Sequence, residues 1–366
     1  MSVRTGEAAR VASAEEGVTL DELRLAARNH GMPLEALRYD LTPVGLHYLL
    51  VHYDIPFVDP ATWRLSVTGR VTNPLSLDLT TLRSLPAVTL AVTLECAGNG
   101  RARLLPRPVS QPWLDEAVGT AEWTGVPLTA VLSAAGVRDD AVEVVFTGHD
   151  HGTERGVEQD YQRALPVSEL EDVLLAYEMN GVPLPPQHGA PVRVIVPGWY
   201  GMAHVKWLKG IDVVAQPFTG FQNAVAYRTK SAPEDPGEPV TTIQPRALMV
   251  PPGFPDFMTR RRYVSAGPVP LTGRAWSGRA PLTSVSISAD GGETWTAATL
   301  GPPAGRYAWR GWTATWQATP GDHTLTVMAA DEHGPQPTDQ PWNTQGMANN
   351  MTQVVEVTAR PTHRPG

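Results

Sequence analysis

Apolar positions recur along this chain in more than one rhythm, and each rhythm predicts a different element. In "TLDELRLAARN" (19–29) Leu20, Leu23 and Ala27 share one helical face, and Thr19 and Glu22 have the spacing of a capping box. This predicts a helix inside an ordered amino-terminal extension. "WRLSVTGRV" (63–71), "LAVTL" (90–94) and "VEVVFTG" (142–148) read as short strands. "VRVIVPG" (192–198) is apolar at nearly every position, the pattern of a strand covered on both faces. Between the last two, "PVSELEDVLLAYEMNG" (166–181) predicts a helix ended by Gly181.

The polar, proline-rich stretch "RTKSAPEDPGEPV" (228–240) separates this mixed region from one of purely alternating character. "LTSVSISADGGETWTAATL" (282–300) alternates on both sides of an Asp-Gly-Gly turn, which predicts a β-hairpin. "HTLTVMAADEH" (323–333) and "MTQVVEVTA" (351–359) add strands at similar spacing, so the last third reads as an antiparallel β-sandwich. The expected organisation is an extension over 1–41, a mixed α+β domain over 42–230 and an all-β sandwich over 241–366.

Composition narrows the function. A chain of 366 residues exceeds the length at which one core usually suffices, and its 35 Pro and 33 Gly favour turns and short strands. The net charge is −8 and no Lys/Arg run marks a face, which argues against nucleic-acid binding. No apolar run reaches signal-peptide or membrane-span length, so the expectation is a cytoplasmic chain with no membrane association.

The single cysteine, Cys96, lies in "TLECAGNGR" (93–101) at the end of a predicted strand. One thiol excludes an internal disulfide, a Cys-based zinc cluster and an iron–sulfur cluster. Three readings remain: an inert core thiol, a nucleophile paired with one of the ten histidines, or a thiolate ligand to a metal whose other ligands come with a cofactor. Gly98 and Gly100 permit close approach of a ligand, and Arg101 offers a fixed charge for an oxyanion, which favours the third.

"LECAGNGR" resembles the C-A-G-N-x-R segment of the sulfite oxidase family of molybdenum enzymes. "WLDEAVGTAEWTGVPL" (113–128), "LLAYEMNGVPLPPQHGAPVRVIVPGWYGMAHVKWL" (174–208), "RAWSGRAPLTSVSISADGGETW" (274–295) and "PWNTQGMANN" (341–350) follow in the family's order. The resemblance implies a mixed α/β molybdopterin-binding domain followed by an immunoglobulin-like sandwich that forms a homodimer. It implies a molybdenum-molybdopterin cofactor with Cys96 as the metal ligand, and His188, Arg193, His204 and Lys206 around the pterin and its phosphate. Tyr227 falls at the family's active-site tyrosine, Trp113 at a wall of the substrate pocket, and Arg101 at an arginine close to the metal. The implied reaction is two-electron oxygen-atom transfer, with sulfite as default substrate. Electrons would leave to an external acceptor: a cytochrome, another carrier or dioxygen.

Two positions depart from the family's pattern. His52, in "HYDIPFVDP", stands where an oxyanion-binding arginine is expected, and Gln345, in "WNTQG", replaces a second. A histidine is cationic only below its pKa of ~6.5 if unperturbed. These losses leave open a different substrate, such as an S-oxide, an N-oxide or nitrate handled by a reductase. A scaffold that binds without metal is the alternative of another class. "RNHGMP" (28–33) imitates the missing motif too early in the chain, and the extension could fold back to lend Arg28 or His30 to the pocket.

Overall fold

A computed structural model of the chain describes residues 10–361 except residue 233. Residues 1–9 of the expected extension and 362–366 of the expected sandwich lie outside the described residues.

Two sheets carry the mixed region. The first runs in the order Leu75–Leu77, Leu65–Gly69, Leu208–Val214, Glu143–Glu154, Val157–Pro166. Leu65–Gly69 and Leu208–Val214 are parallel, with Ser66 opposite Gly210, and the remaining pairs are antiparallel. In the second sheet Val118–Pro127 lies between Val88–Glu95 and Leu174–Met179, and Arg193–Ile195 pairs with Leu174–Met179. Leu65, Val67, Phe146, Leu175, Val194 and Ile211 belong to one core, which explains why "VRVIVPG" reads as apolar throughout.

The helix expected over 166–181 is not there. Only Val167–Glu169 makes a short 3-10 turn, and Leu174–Met179 is a strand with Leu174, Leu175, Ala176 and Tyr177 all buried. A run buried on both faces loses the alternation that identifies a strand, so its sequence resembles a buried helix. Gly181 does not cap a helix either. Asn180 (φ 51°) and Gly181 (φ 75°) take left-handed conformations in the two-residue turn that pairs Met179 with Val182.

The extension's helix forms over Leu20–Arg28 with its capping box in place. Its apolar face is the one left in solvent: Leu20 is 63% and Leu23 54% exposed, whereas Glu22 is fully buried. The Glu22 carboxylate accepts from Arg107 Nε at 2.9 Å, so an ion pair decides which side of the helix docks.

Beyond the stretch 228–240, which makes a small hairpin of Arg228–Thr229 with Glu238–Pro239, the chain is β-rich. One sheet runs Arg246–Met249, Gly267–Trp276, Arg310–Ala318, Thr299–Leu300. The other includes Arg262–Ser265, Gln353–Arg360, Gly321–Asp331 and Leu282–Ser288. Leu271 and Trp312 from the first and Val285, Leu325 and Val357 from the second share one core. The predicted hairpin is present: Ser286 pairs with Ala297 across a turn in which Gly291 and Gly292 have φ of 75° and 101°.

Candidate active site

The strand Val88–Glu95 delivers Cys96 to the end of its sheet, where Cys96 N–H donates to Ala117 O at 2.9 Å. Asn99 pins the turn that follows. Its Nδ2 donates to Glu95 Oε1 (3.0 Å) and Asp115 O (3.2 Å), and its Oδ1 accepts from Ala117 N–H (3.1 Å). Arg101 folds back over this turn, donating through Nε to Gln345 O (2.8 Å) and through Nη1 to Gln111 O (3.1 Å). A Cβ on Gly98 would meet that guanidinium at 2.5 Å, so the glycine is needed for Arg101 to lie there. Burial pushes the Cys96 thiol up, with Arg101 pulling the other way.

Two cavities meet at Cys96. The inner one is lined by His47, Asp150, His188, Arg193, His204 and Lys206. The outer one includes Arg101, Gln111, Trp113, Glu154, Arg155 and Gln345. Leu50, His52, Cys96 and Tyr227 line both. The structure thus brings Cys96, His188, Arg193, His204, Lys206, Arg101, Trp113, His52, Gln345 and Tyr227 to one or both of two connected spaces.

The inner cavity is rich in hydrogen-bond donors and cations. Arg193 donates to His188 O (3.0 Å) and His204 O (3.3 Å), leaving its Nε without a partner. Lys206 Nζ donates to Leu50 O at 2.7 Å. His47 Nε2 has no partner, and His47 and His188 meet ring edge to face at 5.6 Å. Burial, reinforced by Arg193, lowers Lys206 to about 7, and burial with His47 and Arg193 lowers His188 to about 2. Asp150 is the acid here; burial raises it to about 6, and its Oδ1 is unpaired. Among the described residues, no ion pair neutralises Arg193 or Lys206. Buried cations and N–H groups without partners make a cradle for an anionic, polar group such as a phosphate on a pterin. His204 has a different task. Its Nδ1 accepts from Val196 N–H (3.1 Å), which leaves Nε2–H to donate to Trp199 O (3.0 Å), so both ring nitrogens hold the fold.

In the outer cavity His52 Nε2 lies 2.8 Å from Tyr227 Oη. Burial, with Lys206 and Arg101 nearby, holds His52 below the usual histidine range against the pull of Glu154. Burial raises the Tyr227 hydroxyl well above the ordinary tyrosine value. The phenol therefore keeps its proton and shares a hydrogen bond with a neutral imidazole. His52 brings no positive charge at neutral pH, so it does not stand in electrostatically for an arginine.

The extension does fold back, but neither Arg28 nor His30 enters the pocket. Arg28 donates to Tyr53 O and lies 3.4 Å from Asp54, and the exposed ring of His30 turns to Gly31 O. The residue between them does the work. Buried Asn29 accepts from Val51 N–H (2.7 Å) and donates to Gln111 Oε1 (3.1 Å), tying the neighbour of His52 to the partner of Arg101.

Sequence reasoning missed His47, Asp150, Gln111, Asn29 and Glu154. Of these only Asn29 stands in a stretch singled out in the sequence, "RNHGMP"; the available signal for His47 was a histidine inside the apolar run "GLHYLL". Among the described residues no group of three or more His, Cys, Asp or Glu could hold a metal, so a metal here depends on ligands from a cofactor. No helix among them is long and apolar enough to cross a membrane.

The family described as oxidoreductase molybdopterin binding domain matches residues 52–222, and the Mo-co oxidoreductase dimerisation domain matches residues 255–360. The chain is 35% identical over 353 residues to mitochondrial sulfite oxidase of Homo sapiens, covering 88% of this chain and 62% of that protein. It is 35% identical over 340 residues to sulfite oxidase of Gallus gallus, covering 84% and 71%. With nitrate reductase [NADH] of Solanum lycopersicum the identity is 30% over 371 residues, covering 92% and 40%. Among solved structures, the sulfane dehydrogenase SoxCD from Paracoccus pantotrophus superposes with a TM-score of 0.79 at 23% identity, covering 95% of this chain and 87% of that one. That likeness speaks for the fold. The chain spans 62% of the length of its mammalian relatives.

Proposed function

This chain belongs to the sulfite oxidase family of molybdopterin-dependent oxidoreductases, and from that membership we propose two-electron oxygen-atom transfer at a molybdenum bound by Cys96, with sulfite as the first candidate substrate. Its cofactor is molybdenum-molybdopterin. One observation carries the proposal: Cys96 lies where a cation-rich inner cavity joins a second, outer cleft. When bound, the molybdenum centre supplies the oxygen-atom and electron transfer.

The residues supply binding and orientation. Arg193, Lys206, His188 and His47 hold the phosphate and polar edges of the pterin, and His204 fixes the loop behind them. Arg101 and Trp113 face the substrate in the outer cleft. With His52 Nε2–H donating to the Tyr227 oxygen, the phenolic proton is left for a substrate oxygen. Neutral His52 and Gln345 favour a second reading, in which the substrate is an S-oxide, an N-oxide or nitrate. Electrons pass to an external acceptor. The β-rich region, read as an immunoglobulin-like sandwich because its two sheets share a core, mediates a homodimer.

Metal analysis of purified protein, joined to steady-state assays with sulfite and with S-oxides, N-oxides and nitrate using artificial electron carriers, tests the proposal. Turnover of sulfite that disappears in Cys96→Ser is the expected result. Turnover of an oxide or nitrate but not of sulfite would install the second reading.

A further inference from the structure

We propose that the outer cleft selects a singly charged substrate carrying a hydrogen-bond donor, and that Glu154 and Gln345 discriminate against a dianion that has none. The inference rests on the reading of this cleft as the substrate's.

Two guanidiniums and one carboxylate line it, and of the guanidiniums only that of Arg101 is buried. Arg101 is the buried cation, and two of its N–H groups are already committed to Gln345 O and Gln111 O. Glu154 lines the same space from the end of the strand Glu143–Glu154 and accepts from Gln222 Nε2 at 3.1 Å. Among the described residues no cation pairs with it. Arg155 is exposed on the rim, its guanidinium set 5.7 Å from the Phe221 ring centroid. His52, bonded to Tyr227, adds no charge. A dianion entering beside Arg101 would meet one buried guanidinium and the Glu154 carboxylate, and its second charge would face only the solvent-screened Arg155 on the rim.

The hydrogen-bond inventory points the same way. Gln345 is buried with Oε1 unpaired, its Nε2 being turned 3.4 Å towards Val225 O. A buried acceptor without a donor is costly, and a ligand bearing an N–H, O–H or S–H group relieves that cost. The Glu154 carboxylate is a second acceptor lining the cleft. The Trp113 indole N–H is directed to the Cys96 thiol. A fully deprotonated tetrahedral dianion offers only acceptors, so it suits Arg101 alone and leaves Gln345 unsatisfied in a cleft that also holds the repelling Glu154. Rejection by unpaired groups discriminates more sharply than attraction alone.

Sulfamate and sulfate isolate these effects, since both are tetrahedral and of similar size. Near neutral pH sulfamate carries one charge and N–H donors, whereas sulfate carries two charges and no donor. Calorimetric titration of the molybdenum-loaded protein with each anion needs no turnover, and its molybdenum content is measured separately. A preparation without molybdenum would defeat the proposed function, and is told apart in that way from failure of this inference. The expected result is sulfamate binding at least about tenfold tighter than sulfate, with Glu154→Gln narrowing the ratio and Gln345→Arg reversing it. Sulfate binding as tightly as sulfamate, neither anion binding, or a ratio unmoved by Glu154→Gln would each overturn the proposal.

Discussion

Arg246, in the β-rich region, donates through Nη1 to Glu95, the residue before Cys96, at 3.1 Å. Its Nη2 reaches Asp115 at 2.6 Å, and Trp276 Nε1 from the same sheet donates to the other Glu95 oxygen at 2.8 Å. The side chain of Arg246 has no exposure at all. The β-rich region thus holds the turn that presents the cysteine, across the boundary between the two parts of the chain.

Removing one partner of such a buried pair strands the other charge. Arg246→Leu is expected to cost about 3–5 kcal/mol of stability, and adding Glu95→Gln should recover part of it. Urea unfolding measures both. A loss below about 1 kcal/mol in the single variant would show that the pair does not anchor the turn.

His52 and Tyr227 should act as one unit. Each of Tyr227→Phe and His52→Ala is expected to lower kcat, with Tyr227→Phe costing about tenfold or more. The double variant should be little worse than Tyr227→Phe alone, a coupling on the order of 1 kcal/mol in a double-mutant cycle on kcat/KM. Additive losses would mean that His52 does not act through the phenol.

Asn29 tests the brace across the cleft. Asn29→Ala leaves Val51 N–H and Gln111 Oε1 without their partner, at about 1–3 kcal/mol for each buried group. Stability should fall and KM rise, while molybdenum content stays at the wild-type level because the inner cavity is untouched. Metal loss in this variant would contradict that separation.

Lys206 makes anion binding pH-dependent. Burial and Arg193 hold it near 7 in the cofactor-free protein, below its ordinary value of 10.5. For a base lowered on folding, the stability tied to its neutral form is present above the unfolded value and lost as pH falls through about 7. A bound phosphate reverses this by favouring the ammonium. Added phosphate should therefore raise the Tm of cofactor-free protein more near pH 6.5 than near pH 9, and Lys206→Arg should flatten the difference. An equal shift at both pH values in wild type would remove Lys206 from the phosphate site.

Motifs rich in local information were legible in the sequence. The capping box at Thr19 and the Asp-Gly-Gly hairpin depend on neighbouring residues and stand as expected, whereas the glycines after Cys96 make room for Arg101 and Asn349 where a ligand's approach was expected. What was hidden depends on distant partners. Leu174–Met179 reads as helix because a separate core covers each face, Leu175 and Tyr177 packing on one side and Leu174, Ala176 and Met179 on the other. The helix Leu20–Arg28 turns its apolar side outwards because Arg107, 85 residues away, claims Glu22. Glu154 reaches the cleft from a hairpin end, and Asn29 braces its lining residues Val51 and Gln111 from the folded-back extension; which residue of "RNHGMP" would do so is not marked by spacing. The burial that keeps His52 neutral is likewise invisible in "HYDIP".

The central claim, that the Cys96 sulfur is a ligand of molybdenum, is tested most directly by X-ray absorption at the molybdenum edge on wild type and Cys96→Ser. The account predicts one sulfur fewer around the metal in Cys96→Ser, with the pterin's own sulfurs retained. The same number of sulfur ligands in both proteins would contradict it.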